Sequence, residues 1–190
     1  MRTTNQGWDD CGNAHVSVDA TCQIILACDG TDASNDKQQA EPVAQATLSI
    51  LVQAGIERPT DASGTAQAIP ATLDNGYYSA AAVEALETLG FDPYIATERQ
   101  RHHVPQADAP ETPLTAQERM AAKVRTPAGQ ALYARRKVIV EPVFGQSKAA
   151  RGFRRFWLRG LATIRGEWRL VCLTHNRRKI WRYGRVLSAA

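Results

Sequence analysis

Acidic residues almost vanish from the last third of this 190-residue chain: from Lys123 onward there are 17 Lys and Arg and only two acids, Glu141 and Glu167. Cysteine is also scarce. Cys11, Cys22, Cys28 and Cys172 form no CxxC pair and follow no zinc-ligand spacing, which argues against a metal knuckle or a disulfide scaffold and for reduced, partly buried thiols. No run approaches the roughly 18 apolar residues of a membrane-spanning helix. The opening MRTTNQGWDDCGNAH lacks the basic-then-apolar pattern of a secretory signal, so a cytoplasmic protein is expected. There is no internal repeat.

What is present is a chain with 44% hydrophobic and 22% charged residues, the composition of a globular protein of ordinary single-domain size. Its net charge of +4 conceals a division. Residues 1–122 carry 6 basic and 17 acidic groups, net −11, whereas residues 123–190 carry 17 and 2, net +15. A segment that basic attracts polyanions, with nucleic acid as the leading partner class and an anionic membrane surface second.

HVSVD and CQIILAC are short β-rich runs separated by a small polar turn and predict a hairpin. From Asp36, the residues Val43, Ala46, Ile50, Leu51 and Ala54 recur at helical spacing up to Gly55. AIPATLD, ending at Asp74, predicts a strand; SAAAVEALETLG predicts a helix stopped by Gly90; FDPYIAT predicts another strand. The order strand, helix, strand, helix, strand implies an α/β layer with parallel strands joined by crossover helices. Residues 98–116 contain three prolines and read as a linker. Thereafter one helix is expected over about 129–156, kinked at Pro142, and another over about 161–183, with Leu161, Ile164, Trp168, Val171, Cys172 and His175 on one stripe. The expected regions are therefore 1–97, the linker 98–116, and the basic helical part 117–190.

Asp74 falls at the carboxyl end of a predicted strand, where open α/β sheets place ligands, although from this stretch alone an Asx turn into Asn75 and Gly76 is the leading explanation. Glu141 sits on a helix among Arg135, Arg136, Lys137 and Lys148, where an ion pair is an adequate explanation. Together the two acids meet a chemical demand, since two-metal phosphoryl transfer gathers a few carboxylates around Mg²⁺ ions. The basic helices, interleaved with Phe153, Phe156, Trp157, Trp168 and Trp181, suit phosphate binding better than a merely solvated face. Arg135, Arg151, Arg154 and Arg155 are candidate contacts to the DNA backbone. His102 and His103 read as an exposed loop pair and His175 as a core histidine. Asp19, Asp29, Asp32 and Asp36 read mostly as turn and cap residues, one of which could be a further metal ligand.

LDNGYYS (73–79) and YARRKVIVEPVFGQSK (133–148) together resemble the C-terminal, catalytic part of bacterial insertion-sequence transposases of the DDE type, related to the RNase H-like and retroviral-integrase fold. NDKQQAEP, PYIATERQRHH, RGFRRFWLRGL and RGEWRLVCLTHN extend the resemblance in order over nearly the whole chain. The resemblance implies Mg²⁺- or Mn²⁺-dependent DNA cleavage and strand transfer, with Asp74 and Glu141 as the second and third acidic ligands. It also implies end-phosphate contacts from Tyr133, from Arg136 or Lys137, and from Lys148. Lys137 has the related spacing of four before the glutamate; Arg136 is one further away.

The family's first acidic ligand lies on the central strand of the sheet, upstream of the segment that matches Asn13 to Asp19. MRTTNQGWDDCG contains no strand-like run, so that aspartate is expected to be missing and the chain to be a truncated copy. Ala80, Ser147 and Arg177–Arg178 also depart from the family pattern. The expected fold is thus an RNase H-like mixed sheet lacking its first, central strand, followed by basic C-terminal helices. The expected function is that of a transposase fragment impaired on its own, with DNA as partner, a homo-oligomer or full-length transposase as possible company, no membrane contact, and a place at the nucleoid. The alternative is a non-catalytic DNA-binding remnant or regulator of transposition.

Overall fold

A computed structural model describes residues 12–33, 35–97 and 115–187. His102, His103, Cys11 and most of the 98–116 linker lie outside the described residues. The expected hairpin is present: β1 (Asn13–Val18) pairs antiparallel with β2 (Ile25–Thr31). Asp19 shapes its turn, with its Oδ2 accepting from the Cys22 and Thr21 amides at 2.6 and 3.2 Å. Next come α1 (Ala40–Gln53), with Pro42 in its first turn, β3 (Ile69–Leu73), α2 (Ala80–Thr88) and β4 (Phe91–Ile95).

β3 and β4 pair in parallel through the α2 crossover, as the sequence predicts. β2 and β3 do not. Among the described residues no ladder joins β1–β2 to β3–β4, so the expected single sheet is two separate strand pairs. The class is mixed α/β. Each pair has its own core. Ala40, Ala44, Val83, Leu86, Phe91 and Ile95 form one with Met120 and Val124, while Ile25, Val143, Trp168 and Cys172 form the other. Among the described residues each of the four strands therefore keeps one edge outside any ladder.

The basic part departs from the sequence reading. A separate helix, α3 (Ala116–Arg125), starts in a Thr115–Glu118 capping box. It meets α4 (Pro127–Gly145) at Gly129, where a Cβ would collide with the Lys123 carbonyl, so only glycine fits. The single helix expected over 129–156 stops early: α4 passes into a π-helical turn, Gln146–Ala150, and an irregular segment runs to Gly160. Pro142 contributes to this, because it has no N–H for the Val138 carbonyl. That oxygen accepts from Gln23 Nε2 at 2.9 Å instead, which ties the hairpin turn to α4.

The final helix, α5 (Leu161–Leu187), runs somewhat beyond its predicted end and packs on β2. The hairpin turn is fastened to it by several bonds. Asn176 bonds both the N–H and the carbonyl of Ile25, at 2.8 and 2.7 Å; Lys179 Nζ reaches Gln23 Oε1 at 2.7 Å; His175 Nε2 lies 2.8 Å from the Gln23 carbonyl. These bonds hold Gln23 at φ 59°, a strained value for a residue other than glycine. The Cys28 and Cys172 thiols meet across the same interface and are free, like Cys22.

Trp168 is the centre of the second core. Its indole N–H donates to the His15 carbonyl at 3.2 Å, and its ring stacks on Phe144 and Phe153 and meets Phe156 edge-on. Trp168→Ala should destabilise the chain by about 3–5 kcal/mol, read from urea unfolding, with Trp168→Phe recovering much of the loss. An unchanged midpoint in Trp168→Ala would contradict this.

Burial lowers the pKa of both His15 and His175 below the ordinary 6.5, so the fold favours their neutral forms. Above about pH 6.5 both states are neutral and stability is complete. As pH falls below that value the unfolded chain binds protons more readily than the folded one, and stability is lost. The thermal midpoint should therefore drop between about pH 7 and pH 5, with a flatter profile in His175→Asn; an equal slope in that variant would remove His175 from the account.

Candidate nucleic-acid interface

Asp74 ends β3 and caps the short 3-10 turn Asn75–Tyr77, its Oδ1 accepting from the Asn75 amide at 2.8 Å. The same oxygen lies 3.7 Å from Arg136 Nη2 on α4. The carboxylate is thus both a turn residue and one half of an ion pair. Arg136 is largely covered, packs 5.5 Å from the centroid of the Tyr133 ring, and has a buried Nε without a hydrogen-bond partner. Burial raises the Tyr133 pKa, opposed by Arg136 and assisted by Asp74.

Beside this turn lies a second polar group. Tyr77 Oη is 2.5 Å from His15 Nδ1, and His15 Nε2 faces Asp36 at 3.9 Å. Burial pushes the Tyr77 phenol up, with further upward push from Asp36 and then Asp74. Asp36 is the one member of the acidic scatter that approaches the Asp74 turn, its Oδ2 only 3.2 Å from where a Gly76 Cβ would stand. Asp29 instead pairs with Arg165 at 3.1 Å.

Glu141 is exposed on α4, five residues past Arg136. At about 100° per residue, five steps turn it roughly 140° from the direction in which Arg136 meets Asp74. Lys137, four residues before Glu141, shares its face and is exposed. Arg135 is exposed too. Lys148 is exposed, with its Nζ 5.9 Å from the centroid of the Phe144 ring, on the π-helical turn and off the continuous helix assumed from sequence. Arg154 and Arg155 are exposed in the irregular segment, whereas Arg151 Nη1 binds the Val171 carbonyl and Thr174 Oγ1 of α5.

Among the described residues no group of three or more His, Cys, Asp or Glu side chains is placed to hold a metal ion. A guanidinium stands beside Asp74, and no third ligand joins Asp74 and Glu141 among the described residues. The missed acid is Glu167. Its carboxylate accepts from the backbone amides of Trp157 and Leu158 at 3.0–3.1 Å and so anchors the segment between α4 and α5. Its isolation among 17 cations was the available signal.

Residues 98–181 match a family described as "Transposase DDE domain". That stretch, with Tyr133, Glu141 and the basic segment, is thus similar to the DDE transposase domain; Asp74 lies upstream of it. No curated protein and no solved structure matches the chain. No helix among the described residues is long and apolar enough to cross a membrane.

With its Asp74 side 57% exposed, the ion pair contributes little to folding, about 1 kcal/mol or less. Arg136→Met, which keeps the stem against Tyr133, should therefore shift urea unfolding by no more than that. A loss several times larger would make the Asp74–Arg136 contact a structural strut.

Proposed function

We propose that this chain acts in DNA transposition as a DDE-class protein that grips DNA through the basic residues of α4, α5 and the segment between them. The observation that carries the reading is the transposase match at 98–181, which coincides with the part of the chain where cations crowd and acids are nearly absent. Arg135, Lys137, Lys148, Arg154 and Arg155 are exposed and take the backbone phosphates. Lys137, on the Glu141 face, suits the end-phosphate contact better than Arg136, which Asp74 already engages.

Asp74 and Glu141 are the carboxylates that this reading assigns to catalysis, in an RNase H-like arrangement. A divalent ion of the Mg²⁺ type, held by Asp74 and Glu141 with a further carboxylate, would activate an attacking oxygen and stabilise a leaving one. Among the described residues no third ligand joins these two. The isolated chain is therefore a poor nuclease, and a further carboxylate comes from outside the described residues or from another chain, a second copy or a longer transposase.

Duplex binding should weaken steeply with salt, by about 0.9 log unit in affinity per log unit of salt for each phosphate neutralised. Lys137→Glu and Arg154→Glu should each reduce that slope by about 1. Fluorescence anisotropy of a labelled duplex measures this, and a flat salt response would exclude the interface.

A further inference from the structure

The segment between the π-helical turn and α5 divides its aromatic side chains between two destinations. Phe153 and Phe156 turn inward, meet one another edge-on and pack against Trp168. Trp157 and Leu158, the next two residues, turn outward and are 70% and 50% exposed. An indole left in water beside an apolar core forfeits burial that its neighbour Phe156 obtains. The backbone at that point is nonetheless well held, because the Glu167 carboxylate receives the amides of both outward residues.

One face of the Trp157 ring is covered by the Arg155 guanidinium, 4.7 Å from its centroid. With so much of the side chain exposed, the opposite face is open to solvent. Arg154 and Arg159, three residues before and two after Trp157 in the chain, are exposed. A flat π surface backed by a cation, fixed by a carboxylate clamp and set in an arginine-rich segment, suits one occupant: an unpaired nucleobase whose phosphates the arginines hold. An apolar protein partner would have to desolvate three guanidinium groups, whereas a nucleotide pairs with them. Stacking requires no particular base, since every base has a π face.

We propose that Trp157, backed by Arg155 and positioned by Glu167, is a stacking platform for an unpaired base of bound DNA. The inference rests on the DNA-binding reading and adds to it that the chain prefers DNA with frayed or single-stranded bases over a continuous duplex. Trp157 is a positioning residue here, remote in role from the carboxylates.

The test compares the full chain and its variants on a blunt duplex and on the same duplex carrying a single-stranded overhang, by fluorescence anisotropy, with 2-aminopurine in the overhang reporting stacking. The wild type should favour the overhang and quench the 2-aminopurine. Trp157→Ala should lose about five- to a hundredfold affinity for the overhang substrate, the range of one base–aromatic stack, while changing blunt-duplex affinity by less than about twofold. Trp157→Phe should keep most of the preference, and Glu167→Gln, checked for folding by circular dichroism, should lose part of it. Equal binding of both substrates with no quenching would overturn the platform and leave the duplex reading intact. Equal losses on both substrates in Trp157→Ala would also overturn it, by making the ring a general support. If the wild type binds neither substrate, the DNA reading falls and the platform with it.

Discussion

The packing of Trp168 is the contact on which the rest of the arrangement depends. Its indole joins the β1 backbone through His15, α4 through Phe144 and the irregular segment through Phe153 and Phe156. The acidic hairpin and α5 share besides it the polar bonds around Gln23, the Cys28–Cys172 contact and the bonds of Arg165 to Asp29 and the Gly30 carbonyl. One buried aromatic thus orders both the platform on which α4 presents its cations and the segment that carries Trp157. Glu167, one residue earlier on α5, fixes that segment from the other side. A hydrophobic contact and a carboxylate clamp at adjacent positions together convert a charged run into a shaped surface.

The site has two halves with different supports. Asp74 belongs to the β3–β4 unit and its core, while Glu141 belongs to α4, whose later turns join the Trp168 core. Arg136 links the halves by a partly exposed ion pair, which is a weak tie. The two strand pairs have no ladder between them, so nothing in the sheet fixes one half against the other as hydrogen bonds would.

Much of the fold was legible in the sequence because it follows from local rules. Period-two runs bounded by turn residues gave β1 and β2, glycine stops gave the ends of α1 and α2, and FDPYIAT gave β4. Global pairing was not legible: the alternation of strands and helices implied one sheet, but pairing between β1 and β3 depends on what lies between them. The long helix expected over 129–156 failed because apolar and basic periodicity continues through Phe144 and Phe153 while the backbone does not. Pro142 marked that weakness, and its orphaned carbonyl partner found Gln23. The Thr115–Glu118 capping box, five residues before the buried Met120, starts α3, a helix that the sequence reading lacks. Asp74 and Glu141 were legible as acids in meaningful places; their orientation was not, because it turns on the phase of α4. Glu167 looked like a stray charge, since its partners are backbone amides, which no side-chain pattern reveals.

We propose that this chain grips DNA as a protein of the DDE class whose two carboxylates do not by themselves form a working centre. Incubation of the isolated 190-residue chain with an end-bearing DNA duplex and Mg²⁺ or Mn²⁺, resolved on a denaturing gel, tests it most directly. The account predicts retained DNA binding with little or no cutting. Robust cutting that disappears in Glu141→Gln would contradict it.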